Sequence, residues 1–294
     1  MQKRVKTQHL IPYIFMTPAT LYLIVILIIP LLQSLWYSFT DFNLIGGEIS
    51  FIGLKNYQRV VTDPKMLKAI WNTLVFTLSA ITLEMLFGLG IALILNRELR
   101  GKRLITTIFM LPMVITPSII ALIWQTLFWN MSYGLINYGL SLLGLPPQPW
   151  LSDETLALIA VILTEAWQQT PFVGLIILAG LQALPIAPFE AATIDGASRW
   201  QKIRHITLPL LKPIILVALL FRTVFTLRVF DLIFILTSGG PGIATYVMSI
   251  AIQLEFFTFF NVGVASAMSW ILLAISALIS LIYMKFLYTE MGGL

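Results

Sequence analysis

Long apolar runs, broken by short polar segments, dominate the hydrophobic pattern of the chain. Six stretches, at about 11–38, 69–95, 105–129, 155–181, 213–237 and 262–287, are each long enough to cross a membrane. At 1.5 Å per residue, roughly 20 apolar residues cover the hydrocarbon layer of about 30 Å. The pattern therefore predicts an all-α integral membrane protein of six spans, forming one transmembrane domain over residues 1–294 with no soluble domain of independent size. The first apolar run extends from Leu10 to Phe39. It is too long for the apolar core of a signal peptide and lacks a small-residue cleavage site, so a retained span is expected.

The polar segments differ in kind. The first external loop carries turn signals at Gly46-Gly47, Gly53 and Asp63-Pro64. The segment from Tyr133 to Asp153 includes Pro146-Pro147-Gln148-Pro149, which cannot be helical. After the fifth run, Gly239-Gly240-Pro241-Gly242 stops the helix, and Ala244 to Phe257 has the length of a short interfacial helix. Trp36, Tyr37, Trp71, Trp129 and Trp150 gather near span ends, where amphipathic rings suit the headgroup layer.

Composition agrees: 59% of residues are hydrophobic and 11% charged, with a mean hydropathy of +0.92, too few charges to cover a water-soluble globule. The net charge of +5 is topological. With the N-terminus inside, Lys3, Arg4, Lys6, Arg97, Arg100, Lys102, Arg103, Arg199, Lys202, Arg204, Lys212 and Lys285 fall on the cytoplasmic side. Only Lys55, Arg59, Lys65 and Lys68 fall outside, and Arg222 and Arg228 lie within the fifth run. Positive charge is retained in the cytoplasm, so both termini are expected there. Zero cysteines and two histidines exclude disulfides, iron–sulfur clusters, thiolate metal sites and a histidine cluster.

The internal segment from about 182 to 212 carries ordered capping signals. Pro188 suits the first turn of a helix and Glu190 its positive end, while Ala191 and Ala192 keep one face thin. Asp195-Gly196 ends that helix, and Ser198 with Gln201 has the spacing of a capping box for a second, expected to run to about Thr207 before Pro209 and Pro213 lead into the fifth span. Such a small-faced helical hairpin is suited to docking into another protein.

Glu190-Ala191-Ala192-Thr193-Ile194-Asp195-Gly196-Ala197, continued by Ile206-Thr207-Leu208-Pro209 and Pro213, resembles the EAA loop of permease subunits from binding-protein-dependent ABC importers. Asn56-Tyr57, Asp63-Pro64, Asn72-Thr73, Leu111-Pro112, Pro117 and Thr237-Ser238-Gly239-Gly240-Pro241 resemble the carbohydrate-importing branch, of the maltose and glycerol-phosphate type. Ile203 departs from the aromatic residue more frequent there. The resemblance implies a type I ABC importer permease fold in the bacterial or archaeal inner membrane. It implies half of a pore, completed by a second, similar permease subunit and resting on two ATPase subunits, with an extracytoplasmic binding protein delivering a di- or oligosaccharide, a glycosylglycerol, a polyol or glycerol phosphate. ATP and Mg would be bound by the ATPases and no cofactor by this chain. No G-x-x-x-x-G-K-[ST] phosphate loop is present. Glu190, Ala191, Ala192, Asp195, Gly196, Ala197 and Pro209 would form the ATPase-coupling element.

Polar groups within the spans are the remaining candidates, since charged side chains in hydrocarbon normally face a partner or a wet cavity. Glu165 and Arg222 both lie near the midplane, and Arg228 and Asp231 are spaced to pair on one helix, leaving ion pairing and sugar contact as alternatives. A sugar requires hydrogen-bonding groups beside an aromatic face. Trp167, Gln168, Gln169, Phe225, Thr226, Arg228, Phe230 and Asp231 offer both, with Gln168 and Gln169 pointing about 100° apart so that one of them faces the pathway. Trp124 and Gln125 suit an external gate or interfacial anchoring. An ion-coupled secondary transporter using Glu84, Glu165 and Asp231 is the competing function. An enzyme is disfavoured, because Asp153-Glu154 is the only adjacent acidic pair.

Overall fold

A computed structural model describes residues 15–47 and 49–289. Lys3, Arg4, Lys6 and the expected start of the first span at 11–14 lie outside the described residues. The protein is helical, with isolated bridges only at Thr40–Phe51 and Asn43–Asn261 among the described residues. Its helices are α1 (Phe15–Ser38), α2 (Lys55–Thr62), α3 (Pro64–Leu95), α4 (Lys102–Val114), α5 (Pro117–Phe128), α6 (Leu135–Leu142), α7 (Glu154–Gln182), α8 (Ala187–Ile194), α9 (Arg199–Thr226), α10 (Asp231–Thr237), α11 (Met248–Thr258) and α12 (Val262–Thr289). Five of them, α1, α3, α7, α9 and α12, are long and apolar enough to cross a membrane, and α4 with α5 makes a sixth crossing if the bent pair counts as one.

The chain divides into two compact units. In the unit containing residues up to Asp63 with Ile252–Ile271, α1 shows no buried residue in its apolar window, as suits a helix bathed in lipid. Its end is tied to α2 by the buried Asn56, whose amide donates to the carbonyls of Ser38 and Thr40 at 3.0 and 2.7 Å. Asn43 donates to Asn261 at 2.6 Å, and Asn261 in turn to Glu255 at 2.9 Å. Asp41 receives both the amide and the hydroxyl of Ser50, which hold its carboxyl below the usual carboxylate range.

In the other unit, α3 packs along α7. Gly88 makes this possible: a Cβ there would stand 2.8 Å from Val173 and 3.1 Å from the backbone nitrogen of Gly174. Around the crossing lies a core of Ala92, Leu95, Val173, Ile177, Leu178, Leu181 and Leu211. Without water, van der Waals contact between close backbones is the main adhesive between helices.

Two apolar runs are less regular than expected. The third bends by 97° between α4 and α5, because Thr116 precedes Pro117 and takes an extended conformation, so Pro117 begins a new helix. In the fifth, α9 begins at Arg199 rather than near Pro213 and stops at Thr226, leaving 227–230 outside any helix before α10. Pro209 and Pro213 therefore lie inside α9. A wider turn at Ile203–Thr207, in which the Leu208 amide reaches Ile203, accommodates the donor missing at Pro209. Beyond α10, the Asn72 amide donates to the carbonyls of Ile243 and Tyr246 at 2.8 and 3.1 Å, and the Thr73 hydroxyl accepts the Met248 amide at 2.8 Å. The Asn72-Thr73 pair thus fixes the turn that follows Gly239-Gly240-Pro241. The Asn137 side chain orders the loop before α7, donating to Met131 and Gln148 and accepting from Gln148 and Trp150.

Candidate functional site: a capped hairpin and the polar groups of α7 and α9

The hairpin between α7 and α9 forms as its capping residues dictate. Pro188 and Glu190 lie in the first turn of α8, and the helix closes with Gly196 at φ +76° while the Ala197 amide returns to Ala192 at 2.8 Å. Ser198 and Gln201 make both halves of the capping box, at 3.3 and 2.7 Å. Lys202 then donates to Thr193 at 2.7 Å, fastening α9 back onto α8. Glu190, Ala191 and Asp195 are exposed, Ala192 and Ala197 half-buried, and Pro209 half-buried further along α9. Two apolar side chains not singled out from the sequence complete this surface: Ile194 is 88% and Trp200 67% exposed. Their signal is large hydrophobes at the tip of a polar hairpin, held out by a rigid turn.

Arg222 sits between α3, α7 and α9, and its guanidinium meets two carboxylates. It contacts Glu84 through two nitrogens at 2.5 and 2.8 Å, Glu165 at 2.7 Å and the Thr226 hydroxyl at 2.9 Å. All four side chains are buried, at 3% exposure or less. The pairing of Glu165 with Arg222 was legible from their depth, whereas the share taken by Glu84 was not. Arg228 and Asp231 do not pair as expected, because the helix ends between them. Arg228 lies over the Phe225 ring at 4.9 Å, and Asp231 opens α10.

The remaining polar candidates divide by exposure. Gln168 is buried and donates to the Ile115 carbonyl at 3.0 Å, a group freed by the α4–α5 bend. Gln125 donates to the carbonyls of Ile235 and Leu236 at 3.0 and 3.2 Å. Trp124 is buried edge-on against the half-exposed Trp167, with ring centroids 5.3 Å apart. Gln169 and Phe230 are half-buried, while Phe225, Arg228 and Asp231 are exposed. Phe172 and Phe221, which the sequence reading missed, join Phe225 in an aromatic row, Phe172–Phe221 edge-on at 6.5 Å and Phe221–Phe225 stacked at 6.4 Å. The row flanks Gln169, three residues before Phe172 and so on the same face of α7. Among the described residues there is no group of three His, Cys, Asp or Glu side chains able to hold a metal.

Comparisons with known proteins identify the family. Residues 84–288 match the model of the family described as binding-protein-dependent transport system inner membrane component. The chain is 38% identical over 273 residues to the trehalose/maltose transport system permease protein MalF of Thermococcus litoralis, covering 93% of this chain and 92% of that one. It is 33% identical to the sulfoquinovosyl glycerol transport system permease protein SmoG of Agrobacterium fabrum, covering 96% and 92%. Its fold matches a chain of a bacterial ABC transporter involved in the import of the acidic polysaccharide alginate, with a TM-score of 0.83, 24% identity and 98% of each chain covered. The chain therefore belongs to the family of binding-protein-dependent ABC importer permeases of the inner membrane, and is a transport subunit rather than an enzyme or an ion-coupled carrier.

Proposed function

We propose that this chain is one half of the pore of an ATP-driven importer for a sugar or glycoside, with six spans, both termini in the cytoplasm, and the 182–212 hairpin as its coupling element. The observation that carries the reading is the hairpin itself: two capped helices, locked by Gly196 and the Ser198–Gln201 box, presenting Ile194 and Trp200 to solvent. An apolar surface held out on a rigid turn, on the side that bears most of the Lys and Arg, is suited to a groove in an ATPase subunit. Glu190 and Asp195 would offer acceptors at its edge, and Ala191, Ala192 and Ala197 would permit close approach. Pro209, seated against the wide turn of α9, would link movement of the hairpin to the span above. A second permease subunit completes the pore, an ATPase homodimer or heterodimer supplies ATP and Mg binding, and an extracytoplasmic binding protein delivers the sugar.

The names of the trehalose/maltose and sulfoquinovosyl glycerol relatives favour a disaccharide or a glycerol-based glycoside. The pathway is assigned to the exposed face of α7, the end of α9 and the start of α10. Gln169, Phe225, Arg228, Phe230 and Asp231 would meet the sugar, Gln168 and Thr226 would support that face from behind, and Trp167, about 200° around α7 from Gln169 and packed on Trp124, would brace the outer side with Trp124 and Gln125 as a gate. Aromatic rings take the C–H face of a sugar, and the amide, guanidinium and carboxylate groups take its hydroxyls. Arg222, already neutralised by two carboxylates, is not free for an acidic substrate.

Purification through a tag on this chain in mild detergent, followed by mass spectrometry, tests the assembly. Recovery of a second permease and a pair of ATPase subunits is expected. A lone chain that transports sugar without ATP would overturn the reading.

A further inference from the structure

The inner ends of α3, α7 and α9, with Phe189 of α8, line an open cavity of about 440 Å³. Its charged lining is Arg97, Arg199 and Lys202, and no carboxylate lines it. Glu98, next to Arg97, lines the adjoining depression instead. Lys202 is bound only to the neutral Thr193 hydroxyl, and no ion pair links Arg97 or Arg199 to an acid among the described residues. Three cations thus line one cavity with no ion-paired acid among the described residues. The walls behind them are apolar: Leu93, Leu181 and Ile203 come from the last or first turns of helices that continue into the membrane. Ile194 and Trp200, assigned above to the ATPase, are not part of this lining.

An occupant that satisfies both halves of the cavity carries a negative charge at one end and hydrocarbon at the other. Guanidinium groups bind phosphate oxygens through paired, charge-assisted hydrogen bonds. Basic pockets between spans on the cytoplasmic side suit anionic lipid headgroups, and each Lys or Arg near the surface favours anionic lipid by about fivefold. We propose that this cavity is a binding site for an anionic phospholipid, its phosphate held by Arg97, Arg199 and Lys202 and the first carbons of its chains laid against Leu93, Leu181 and Ile203. The site rests on the transport reading only in its placement at the cytoplasmic leaflet. Lipid retention is measurable whether or not ATPase subunits accompany the chain.

The test reconstitutes the chain, with any subunits that co-purify, in nanodiscs of phosphatidylcholine containing a minor share of phosphatidylglycerol, and counts retained lipid by native mass spectrometry. Enrichment of phosphatidylglycerol over its share in the disc is expected. Each of Arg97→Gln, Arg199→Gln and Lys202→Gln should lower the enrichment about fivefold, and the triple variant combining them should abolish it. The triple variant Arg100→Gln, Arg103→Gln, Arg204→Gln removes the same charge from exposed positions outside the cavity lining and should leave it intact. Excess inorganic phosphate should fail to displace the lipid, because it cannot use the apolar wall. Equal loss in both triple variants would reduce the effect to general surface charge and overturn the site. So would unchanged retention in the cavity variants, displacement by phosphate alone, or unchanged retention accompanied by loss of ATPase subunits.

Discussion

Arg222 grips Glu84 with two nitrogens, at 2.5 and 2.8 Å, while the same guanidinium reaches Glu165 at 2.7 Å. One residue of α9 thereby ties α3 to α7 at a depth where no solvent competes. Breaking a buried ion pair by removing one member costs about 3–5 kcal/mol, because a charge is left without a partner, whereas removing both members together can be nearly neutral. Arg222→Met should therefore lower the thermal unfolding midpoint of the purified protein sharply. Glu84→Gln combined with Glu165→Gln in the same background should restore much of the loss. A single-variant midpoint equal to that of the wild type would refute the structural role of the cluster.

At the hairpin, Gly196 adopts φ +76°, a conformation that costs an L side chain about 1–2 kcal/mol. Open space surrounds the position, so the cost of Gly196→Val is conformational rather than steric. The variant should insert normally, retain α7 and α9, and lose sugar uptake together with co-purification of the ATPase. Normal uptake and normal ATPase recovery would remove the hairpin from coupling.

Gln168 and Gln169 are neighbours with opposite expectations. Gln168→Leu leaves the Ile115 carbonyl unpaired at the α4–α5 bend, a loss of about 1–3 kcal/mol that appears as reduced thermal stability. Gln169→Leu, on the half-exposed face beside the Phe172–Phe221–Phe225 row, should spare stability and raise the sugar concentration needed for half-maximal uptake. Reversal of the two phenotypes would move the pathway to the other face of α7.

Asp41 supplies a local pH response outside the membrane. Hydrogen bonds from Ser50 lower its carboxyl below the usual range, so the native loop favours the ionised form. That contribution is complete above the ordinary carboxylate pKa and fades as pH falls through the lowered native value. Protection of the Ser50 amide against hydrogen exchange, corrected for the intrinsic rate, should fall over this acidic window. In Asp41→Asn the pH dependence should vanish; its persistence would mean that another group controls the loop.

Local signals in the chain carried much of the architecture. Apolar runs longer than the bilayer core required membrane helices, since an exposed backbone in hydrocarbon has no water to bond. Pro188, Gly196, Ser198 and Gln201 specified the hairpin because capping depends on atoms three or four residues apart. Other features needed the fold. Nothing near Thr116 in the sequence shows that Gln168 satisfies the carbonyl freed at the bend, and nothing near Arg222 shows that Glu84, 138 residues earlier, shares its charge. The helix break that separates Arg228 from Asp231 and the aromatic row joining Phe172 to Phe221 likewise follow from packing of α7, α9 and α10. By itself the sequence determined that the long apolar runs are helical and where the hairpin turns, because those features are set by neighbours along the chain. Only the tertiary structure decided which polar groups are spent inside the protein and which remain exposed, because a buried group's partner comes from whichever distant helix packs against it.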